Sequence, residues 1–198
     1  MKDILKKSLK LSIILLIICG ILYPLVTTGT SQLLFSKRAN GSMITFNGKE
    51  IGSSLIGQDF KDPRFFHGRV SAINYNTYKD GADHPKVTSG SENLGPSSEA
   101  LTDRVKKAVD ELLKQHPEVK KEDIPLDLVT SSASGLDPEI SIEAAKFQVP
   151  SVSKAAGISE EDLQKLIDKC TIGKSLGFLG ENRVNVLLLN IEVAKLLK

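Results

Sequence analysis

The longest apolar pattern in the chain lies close to its N-terminus. Residues 11–36 contain no Asp, Glu, Lys or Arg, and the first part of this stretch is rich in Ile and Leu. At ~1.5 Å of rise per residue, a helix over this stretch is longer than the ~30 Å hydrocarbon core of a bilayer. The pattern therefore predicts a transmembrane helix at 11–31, a basic segment before it at 1–10, and a soluble domain at 36–198.

The charges next to this span indicate its orientation. The first ten residues carry four Lys and one Asp, and basic residues beside a span stay on the cytoplasmic side. We therefore expect the N-terminus in the cytoplasm and the soluble domain on the extracytoplasmic side of the cell (inner) membrane. A cleaved signal peptide is the alternative, but the apolar run is long for one and no A-x-A cleavage site follows it.

Beyond the span, the periodicity changes from one element to the next. Asn47-Gly48 between two strand-like runs predicts a hairpin at 42–52. Because strands and helices follow one another without a regular βαβ repeat, the pattern predicts an α+β fold. The remaining predicted elements are a long loop at 75–95, a helix at 98–115, a strand at 124–130, a helix from Asp137 to Gln148 that stops before Pro150, a helix that begins at Ser159, a buried strand at 182–190 and a short helix at 191–197.

Charge and cysteine content narrow the function classes. The net charge is +2, and since the first ten residues carry +3, the rest of the chain carries −1. A domain without basic excess is not typical of nucleic-acid binding, whereas the N-terminal Lys cluster suits membrane lipid. Cys19 lies in the span and cannot pair with Cys170. The pattern around Cys170 favours a small core residue over a reactive thiol.

The sequence contains no recognisable catalytic or metal-binding constellation. The three His have no metal-ligand spacing, and neither G-x-S-x-G, H-E-x-x-H nor a Walker loop occurs. We therefore predict no catalytic residue and no bound metal. A Ser-rich turn at 131–136 either caps the following helix or binds an anion, and capping is favoured because no Lys or Arg adjoins it. An anchored hydrolase and a solute-binding module stay open as alternatives unrelated to transport.

Motifs rich in Gly, Pro and Asn are spread along the chain instead, as is typical of a protein that docks. They lie at 23–24, 55–58, 66–72, 89–97, 128–141 and 183–187. With these motifs in this order, the chain resembles the C subunit of the Kdp potassium-transporting ATPase over nearly its whole length. The resemblance singles out, as candidate docking or structural residues, Tyr23, Pro24, Gly57, Gln58, Gly68, Arg69, Ser71, Asn93, Leu94, Gly95, Pro96, Ser134, Gly135, Leu136, Asp137, Pro138, Gln148, Arg183 and Asn185.

The resemblance implies a membrane complex of four components. Its other members are a channel-like subunit that selects K+, a P-type ATPase subunit that hydrolyses ATP, and a small membrane subunit. The C subunit has one span and no ATPase chemistry, is needed for assembly and activity, and is described as raising the ATP affinity of the catalytic subunit. ATP and K+ are thus implied for the complex, with no cofactor tightly bound to this chain.

The expected topology conflicts with direct ATP contact, because ATP is cytoplasmic and the soluble domain is expected outside. We therefore favour a domain that stabilises the complex or caps the potassium entrance over one that touches ATP. We also expect the motifs at 66–72, 89–97 and 134–141 to converge on one surface or to brace one another.

Overall fold

The computed structural model describes residues 1–77, 87–115 and 119–197. It divides the chain into two compact units, 1–44 and 45–198. The first unit consists mainly of one long helical segment, which is kinked at Phe35 (φ −137°), and the second mixes short strands with helices, which confirms the predicted α+β class. Part of the predicted loop at 75–95, and Pro117 at the predicted end of a helix, lie outside the described residues.

The first unit follows one long helical path. Helix α1 (Lys2–Ile17) continues through a π-helical segment (Ile18–Leu22) into helix α2 (Tyr23–Ala39). Pro24, which cannot donate a backbone hydrogen bond, lies inside this continuous path, just after the π-helical segment. The path from Lys2 to Ala39 is long and apolar enough to cross a membrane, and none of it is buried within the protein.

The two patterns with the clearest spacing form the elements that they predict. β1 (Met43–Phe46) and β2 (Lys49–Ser53) form a two-stranded sheet. The turn residues Asn47 and Gly48 have φ of 50° and 77°, as the tight turn of a hairpin requires. Helix α3 (Glu99–Gln115) matches the predicted helix to within one residue.

The predicted strand at 124–130 is wrong, because this run contains a short helix, α4 (Leu126–Val129). Leu128 and Val129 are both buried, with 8 % and 3 % of their surface exposed. Neighbouring residues of a strand point to opposite faces, whereas a helical turn places both against the core. A short apolar run by itself does not distinguish these two geometries.

The predicted helix start at Asp137 is also wrong. The chain first forms strand β3 (Glu139–Ile140), and helix α5 (Ile142–Ala156) begins only after Ser141. The Ser141 side chain accepts a hydrogen bond from the backbone N–H of Ala144, so the cap lies four residues later than predicted. The Asp137 side chain instead accepts a hydrogen bond from the backbone N–H of Glu139, as part of a turn and not of a helix cap.

Helix α5 does not stop before Pro150 as predicted, but runs through it and ends at Gly157. Pro150 cannot donate the hydrogen bond that would reach the carbonyl of Lys146. Both residues are exposed, so water can satisfy that carbonyl and the helix continues. Gly157 has φ of 69° and supplies the left-handed C-terminal residue.

The C-terminal part of the chain confirms one prediction and corrects another. Ser159 caps helix α6 (Glu160–Cys170) as predicted. Strands β4 (Thr171–Ile172) and β5 (Arg183–Asn185) follow. The predicted strand at 182–190 ends at Asn185, and the rest of that run belongs to helix α7 (Val186–Leu196), which includes most of the predicted closing helix.

Strand β5 lies at the centre of a small antiparallel sheet of order β3-β5-β4. Val184 of β5 is opposite Ile140 on one side and Thr171 on the other. Helices α5, α6 and α7 pack around this sheet. Among the described residues, the largest fully buried side chains of the core are Phe66, Val152, Leu163, Ile167, Val184, Leu189 and Val193.

Candidate functional site

Four motif-bearing segments meet in the second unit, and we call their meeting point the motif junction. It consists of Gly57 and of residues 68–75, 89–91 and 130–137. Hydrogen bonds join the segments from N of Gly57 to O of Leu136 (2.8 Å), from N of Gly90 to O of Ser134 (2.8 Å), from Oγ of Ser71 to O of Gly135 (2.7 Å) and from N of Ser132 to O of Val70 (3.3 Å). The expectation that these motifs brace one another is confirmed.

Glycines allow the segments of the junction to approach closely. A Cβ atom on Gly57 would lie 2.7 Å from the ring of Tyr75, and one on Gly68 would lie 2.8 Å from the Tyr75 hydroxyl. Gly135 has φ of 67°, and a Cβ there would lie 2.7 Å from Cγ1 of Ile73. Real Cβ atoms do not sit so close to other heavy atoms, so larger residues would push the segments apart.

A half-buried ion pair crosses the junction. Arg69 donates to Asp137 at 3.1 Å, and the two side chains are only 26 % and 27 % exposed. A second guanidinium nitrogen of Arg69 lies 3.5 Å from both the Thr130 hydroxyl and the Ser131 carbonyl. The Nε atom of Arg69 is buried and makes no hydrogen bond. Arg69 therefore serves to join two segments from inside the protein.

Tyr75 holds the junction from the other side. Its hydroxyl donates to the carbonyl of Arg69 (2.5 Å) and its N–H donates to Oγ of Ser71 (2.9 Å). Burial raises the pKa of Tyr75 to about 12, and the carboxylates of Asp137 and Asp59 add to the rise. The neutral phenol is thus the form that the folded junction favours.

Sequence reasoning did not single out Tyr75. Its φ is 51°, a left-handed conformation that is uncommon for a bulky residue. Its neighbours Asn74 and Asn76 are also left-handed, with φ of 49° and 53°. Asn tolerates this conformation, so the Asn-Tyr-Asn sequence was the available signal for a tight local turn.

The segment at 92–97 leads from the junction to α3 and is mostly exposed, including Gly95 and Pro96. It is held at its start by an ion pair between Glu92 and Arg104 of α3. The Nε atom of Arg104 is buried without a hydrogen bond. The segment at 92–97 is therefore fixed at its start and accessible to solvent along most of its length.

A shallow cavity of about 380 Å³ lies beside this segment, lined by Leu94, Arg104, Thr130 and Ala133 among others. Asn93 also lines it, has φ of 51°, and accepts a hydrogen bond from the Ser91 hydroxyl (2.8 Å). The predicted residues Asn93 and Leu94 therefore lie at the surface, beside the buried contacts of the junction.

Two amide side chains clamp the backbone where the first motif enters the core. Asn190 of α7 accepts from N of Phe66 (2.8 Å) and donates to its carbonyl (2.9 Å). Gln148 of α5 does the same for His67, at 2.7 Å and 3.2 Å. Both amides are buried. Gln148 was predicted as a site residue, whereas Asn190 was not.

Comparisons with known proteins identify the family of this chain. The family model described as "KdpC: K+-transporting ATPase, c chain" matches residues 5–195. The chain belongs to this c-chain family. It is 55 % identical to the potassium-transporting ATPase KdpC subunit of Clostridioides difficile (strain 630), over 98 % of this chain and 97 % of that protein.

Other members of the c-chain family match at similar length. The KdpC subunit of Clostridium kluyveri is 49 % identical over 96 % of this chain and 92 % of its own length. That of Bacillus cereus (strain Q1) is 47 % identical over 100 % of this chain and 98 % of its own length. The resemblance inferred from the motifs is confirmed.

Not all family motif residues gather at the junction. Tyr23 and Pro24 lie in the first unit, at the start of α2. Four others brace the β1–β2 hairpin and the small sheet: Gln58 donates to O of Ile51 (2.7 Å), Asn185 donates to O of Ser54 (2.8 Å), Arg183 pairs with Glu139 (2.7 Å), and the carbonyl of Pro138 accepts from N of Val186 (2.9 Å).

His67 and Cys170 occupy structural positions in this c-chain family member. His67 Nδ1 contacts the carbonyl of Phe60. Cys170 is half-buried, and burial raises the pKa of its thiol, which makes it a poor nucleophile. Across residues 1–77, 87–115 and 119–197, no three His, Cys, Asp or Glu side chains are grouped to hold a metal ion.

Proposed function

We propose that this chain is a non-catalytic accessory subunit of a high-affinity, ATP-driven potassium uptake complex. Its membership of the c-chain family supports the proposal. The observation that carries it is the motif junction, where the most recognisable motifs are used for internal bracing around a small exposed border. A rigid surface of this kind suits docking, because little conformational entropy is lost when a partner binds.

The exposed border of the junction is the surface that we assign to docking, and we call it the junction rim. It consists of Ser89, Glu92, Asn93, Ala133 and Ser134, all exposed. Hydrogen bonds behind it fix its backbone, including those from Ser89 Oγ and from N of Gly90 to the carbonyl of Ser134. The rim is therefore held in one shape before a partner arrives.

The partners that we propose are a channel-like potassium subunit, a P-type ATPase subunit and a small membrane subunit. ATP and K+ act at the level of this complex, and ATP hydrolysis belongs to the ATPase subunit. The long apolar helix anchors the chain in the membrane, with its N-terminus in the cytoplasm and residues 36–198 outside. In that orientation, the soluble domain stabilises the complex or caps the potassium entrance, and any effect on ATP affinity passes through the membrane subunits.

A matched pair of substitutions tests the rim. Ala133→Arg places a large charged side chain on the rim, and Ala155→Arg places the same side chain on an exposed position of α5. We expect Ala133→Arg to recover roughly tenfold less ATPase subunit through a tag on this chain, and Ala155→Arg to recover the normal amount. Equal recovery of the ATPase subunit by the two variants, at equal melting temperature, would show that the rim is not the docking surface.

Orientation is tested by labelling in intact cells. Single cysteines replace Lys49, Lys114 or Lys174 in a Cys170→Ser background, and a membrane-impermeant maleimide is added. We expect all three positions to react before lysis. Protection until lysis would place the domain in the cytoplasm and would favour direct contact with ATP.

A further inference from the structure

The hairpin between β4 and β5 carries large apolar side chains that the protein does not cover. Leu176, Phe178 and Leu179 are 83 %, 72 % and 51 % exposed. We call residues 174–181 the hairpin tip. Exposed apolar residues are ordinary when they occur singly, but three within four positions at the end of a projecting hairpin indicate a contact surface.

The backbone of the tip is closed on itself. Ser175 and Leu179 exchange two hydrogen bonds, at 2.8 Å and 2.9 Å, and N of Gly177 donates to the carbonyl of Lys174 (3.1 Å). N of Phe178 donates to the carbonyl of Ser175 (3.3 Å). Four backbone N–H groups of the tip are thus satisfied within the segment and lose no hydrogen bond to water when they enter a less polar medium.

Leu176 is an unusual choice for the turn at this tip. Its φ is 53°, and that of the next residue, Gly177, is 82°. Tight hairpins use Asn, Asp or Gly at such positions, because a β-carbon is strained there. Leu176 therefore keeps a strained backbone while exposing most of its side chain. Because the Leu176 side chain is 83 % exposed, little packing within the domain offsets this strain, which points to a use outside the domain.

Polar groups lie at the base of the tip. Lys174 and Glu181 face each other across the hairpin at 3.5 Å, with 38 % and 88 % of their side chains exposed. Their charges cancel, so the tip has an apolar end and a neutral polar collar. This is the profile of a segment that enters the boundary between headgroups and acyl chains.

The domain is tethered to its anchor by only a few residues. The long apolar helix ends at Ala39 and β1 begins at Met43, so the chain that links them can span about 14 Å at most. We propose that the hairpin tip inserts Leu176 and Phe178 into the boundary region of the bilayer that holds the helix. The inference does not rest on the docking of partner subunits and applies to either orientation of the chain.

Tryptophan fluorescence tests the insertion directly, because the chain contains no Trp. The probe is the full-length Phe178→Trp chain, reconstituted without other subunits into phosphatidylcholine nanodiscs. The matched control is Leu126→Trp, since Leu126 is 76 % exposed and Phe178 is 72 % exposed. We expect phosphatidylcholine brominated near the headgroup end of its acyl chains to quench the indole of the Phe178→Trp chain and to leave that of the Leu126→Trp chain unquenched.

Each other outcome overturns the proposal. Absence of quenching in the Phe178→Trp chain would show that the tip stays in water. A blue shift of its emission only when the other subunits are added would assign the tip to a protein contact. Equal quenching in the probe and in the Leu126→Trp control would indicate non-specific collapse of the domain onto lipid.

A second variant separates insertion from folding. Leu176→Gly in the Phe178→Trp background removes one inserted side chain and suits the left-handed turn. We expect quenching to fall while the melting temperature stays the same or rises. Because Lys174 and Glu181 neutralise each other, adding anionic lipid should leave the quenching unchanged. Quenching that appears only with anionic lipid would show that charge attraction, and not insertion of apolar side chains, brings the tip to the bilayer.

Discussion

Tyr75 in the motif junction and Leu176 at the hairpin tip hold almost the same left-handed conformation, with φ of 51° and 53°. Tyr75 is half-buried, and its hydroxyl and N–H both donate hydrogen bonds within the junction. Leu176 is 83 % exposed. The same backbone strain is thus offset by internal contacts in one region and by none in the other.

This difference shows that the segments whose sequence identifies the family need not be the segments whose side chains are exposed for contacts. The junction contains the motifs that identify the family, yet most of their polar groups are used to hold the domain together. The tip has a less distinctive sequence and leaves its side chains free for the surroundings. Substitutions in the junction should therefore lower stability, whereas those at the tip should leave it unchanged.

The largest expected effect is at Gly57. Gly57→Ala places a Cβ against the ring of Tyr75 and the carbonyl group of Asp137, and backbone on one side cannot give way as a side chain can. We expect a loss of about 3 kcal/mol in the free energy of unfolding. The measurement is urea unfolding of the full chain in detergent, followed by circular dichroism. Gly95→Ala is the control, because open space surrounds Gly95; equal losses would mean that the junction is not tightly packed.

A smaller loss is expected where α7 holds the first motif. Asn190→Ala removes both hydrogen bonds to the backbone of Phe66 and leaves a buried N–H and carbonyl unpaired. We expect a loss of about 2 kcal/mol in the same unfolding experiment. The exposed Asn182→Ala serves as the control and should change stability little. An unchanged midpoint for Asn190→Ala would show that water satisfies these groups.

The third prediction concerns the pH dependence of Tyr75. Its folded pKa, about 12, exceeds the ordinary value of 10.0, so its stabilising contribution is full below pH 10 and is lost as pH rises toward 12. At about pH 8, the free energy of unfolding of the wild type should exceed that of Tyr75→Phe by about 1 kcal/mol, because the variant lacks the hydroxyl hydrogen bond.

That gap should close by about pH 12, since ionisation of the unfolded phenol costs wild type about 1 kcal/mol after allowance for its partial exposure. Urea midpoints of the two proteins at several pH values measure it. A gap that stays constant would mean that the folded phenol titrates at its ordinary pKa.

The smallest expected effect is at the tip. Leu176→Gly relieves the left-handed strain but adds freedom to the unfolded chain, and the two effects nearly cancel. We expect a gain of about 0.5 kcal/mol or less in the free energy of unfolding. A loss as large as that of Asn190→Ala would contradict the comparison, because it would give the tip a role in the fold.

Sequence patterns predicted the elements whose signal is local. The Asn47-Gly48 turn requires positive φ at both positions, and α3 has a continuous apolar face, so neither depends on distant contacts. The motifs also predicted which segments would brace one another. What they did not predict is the role of Tyr75, because its partners come from parts of the chain that only the fold brings together.

The wrong predictions share a physical cause. The runs around Leu128 and Val186 are apolar on consecutive positions, and such runs fit a buried helix as well as a strand. Asp137 has the residue type of a helix cap, but its carboxylate pairs with Arg69, and Ser141 caps the helix instead. Pro150 does not end α5, and both Pro150 and Lys146, whose carbonyl loses its helical donor, are exposed residues.

The π-helical segment at Ile18–Leu22 has a consequence for the anchor as a whole. Its hydrogen bonds span five residues instead of four, so it adds about one residue to the turn, and an α-helix rotates about 100° per residue. Side chains of α1 and α2 that would lie on the same face of a regular α-helix therefore point in different directions. A straight neighbouring helix can therefore follow one half of this helical path only.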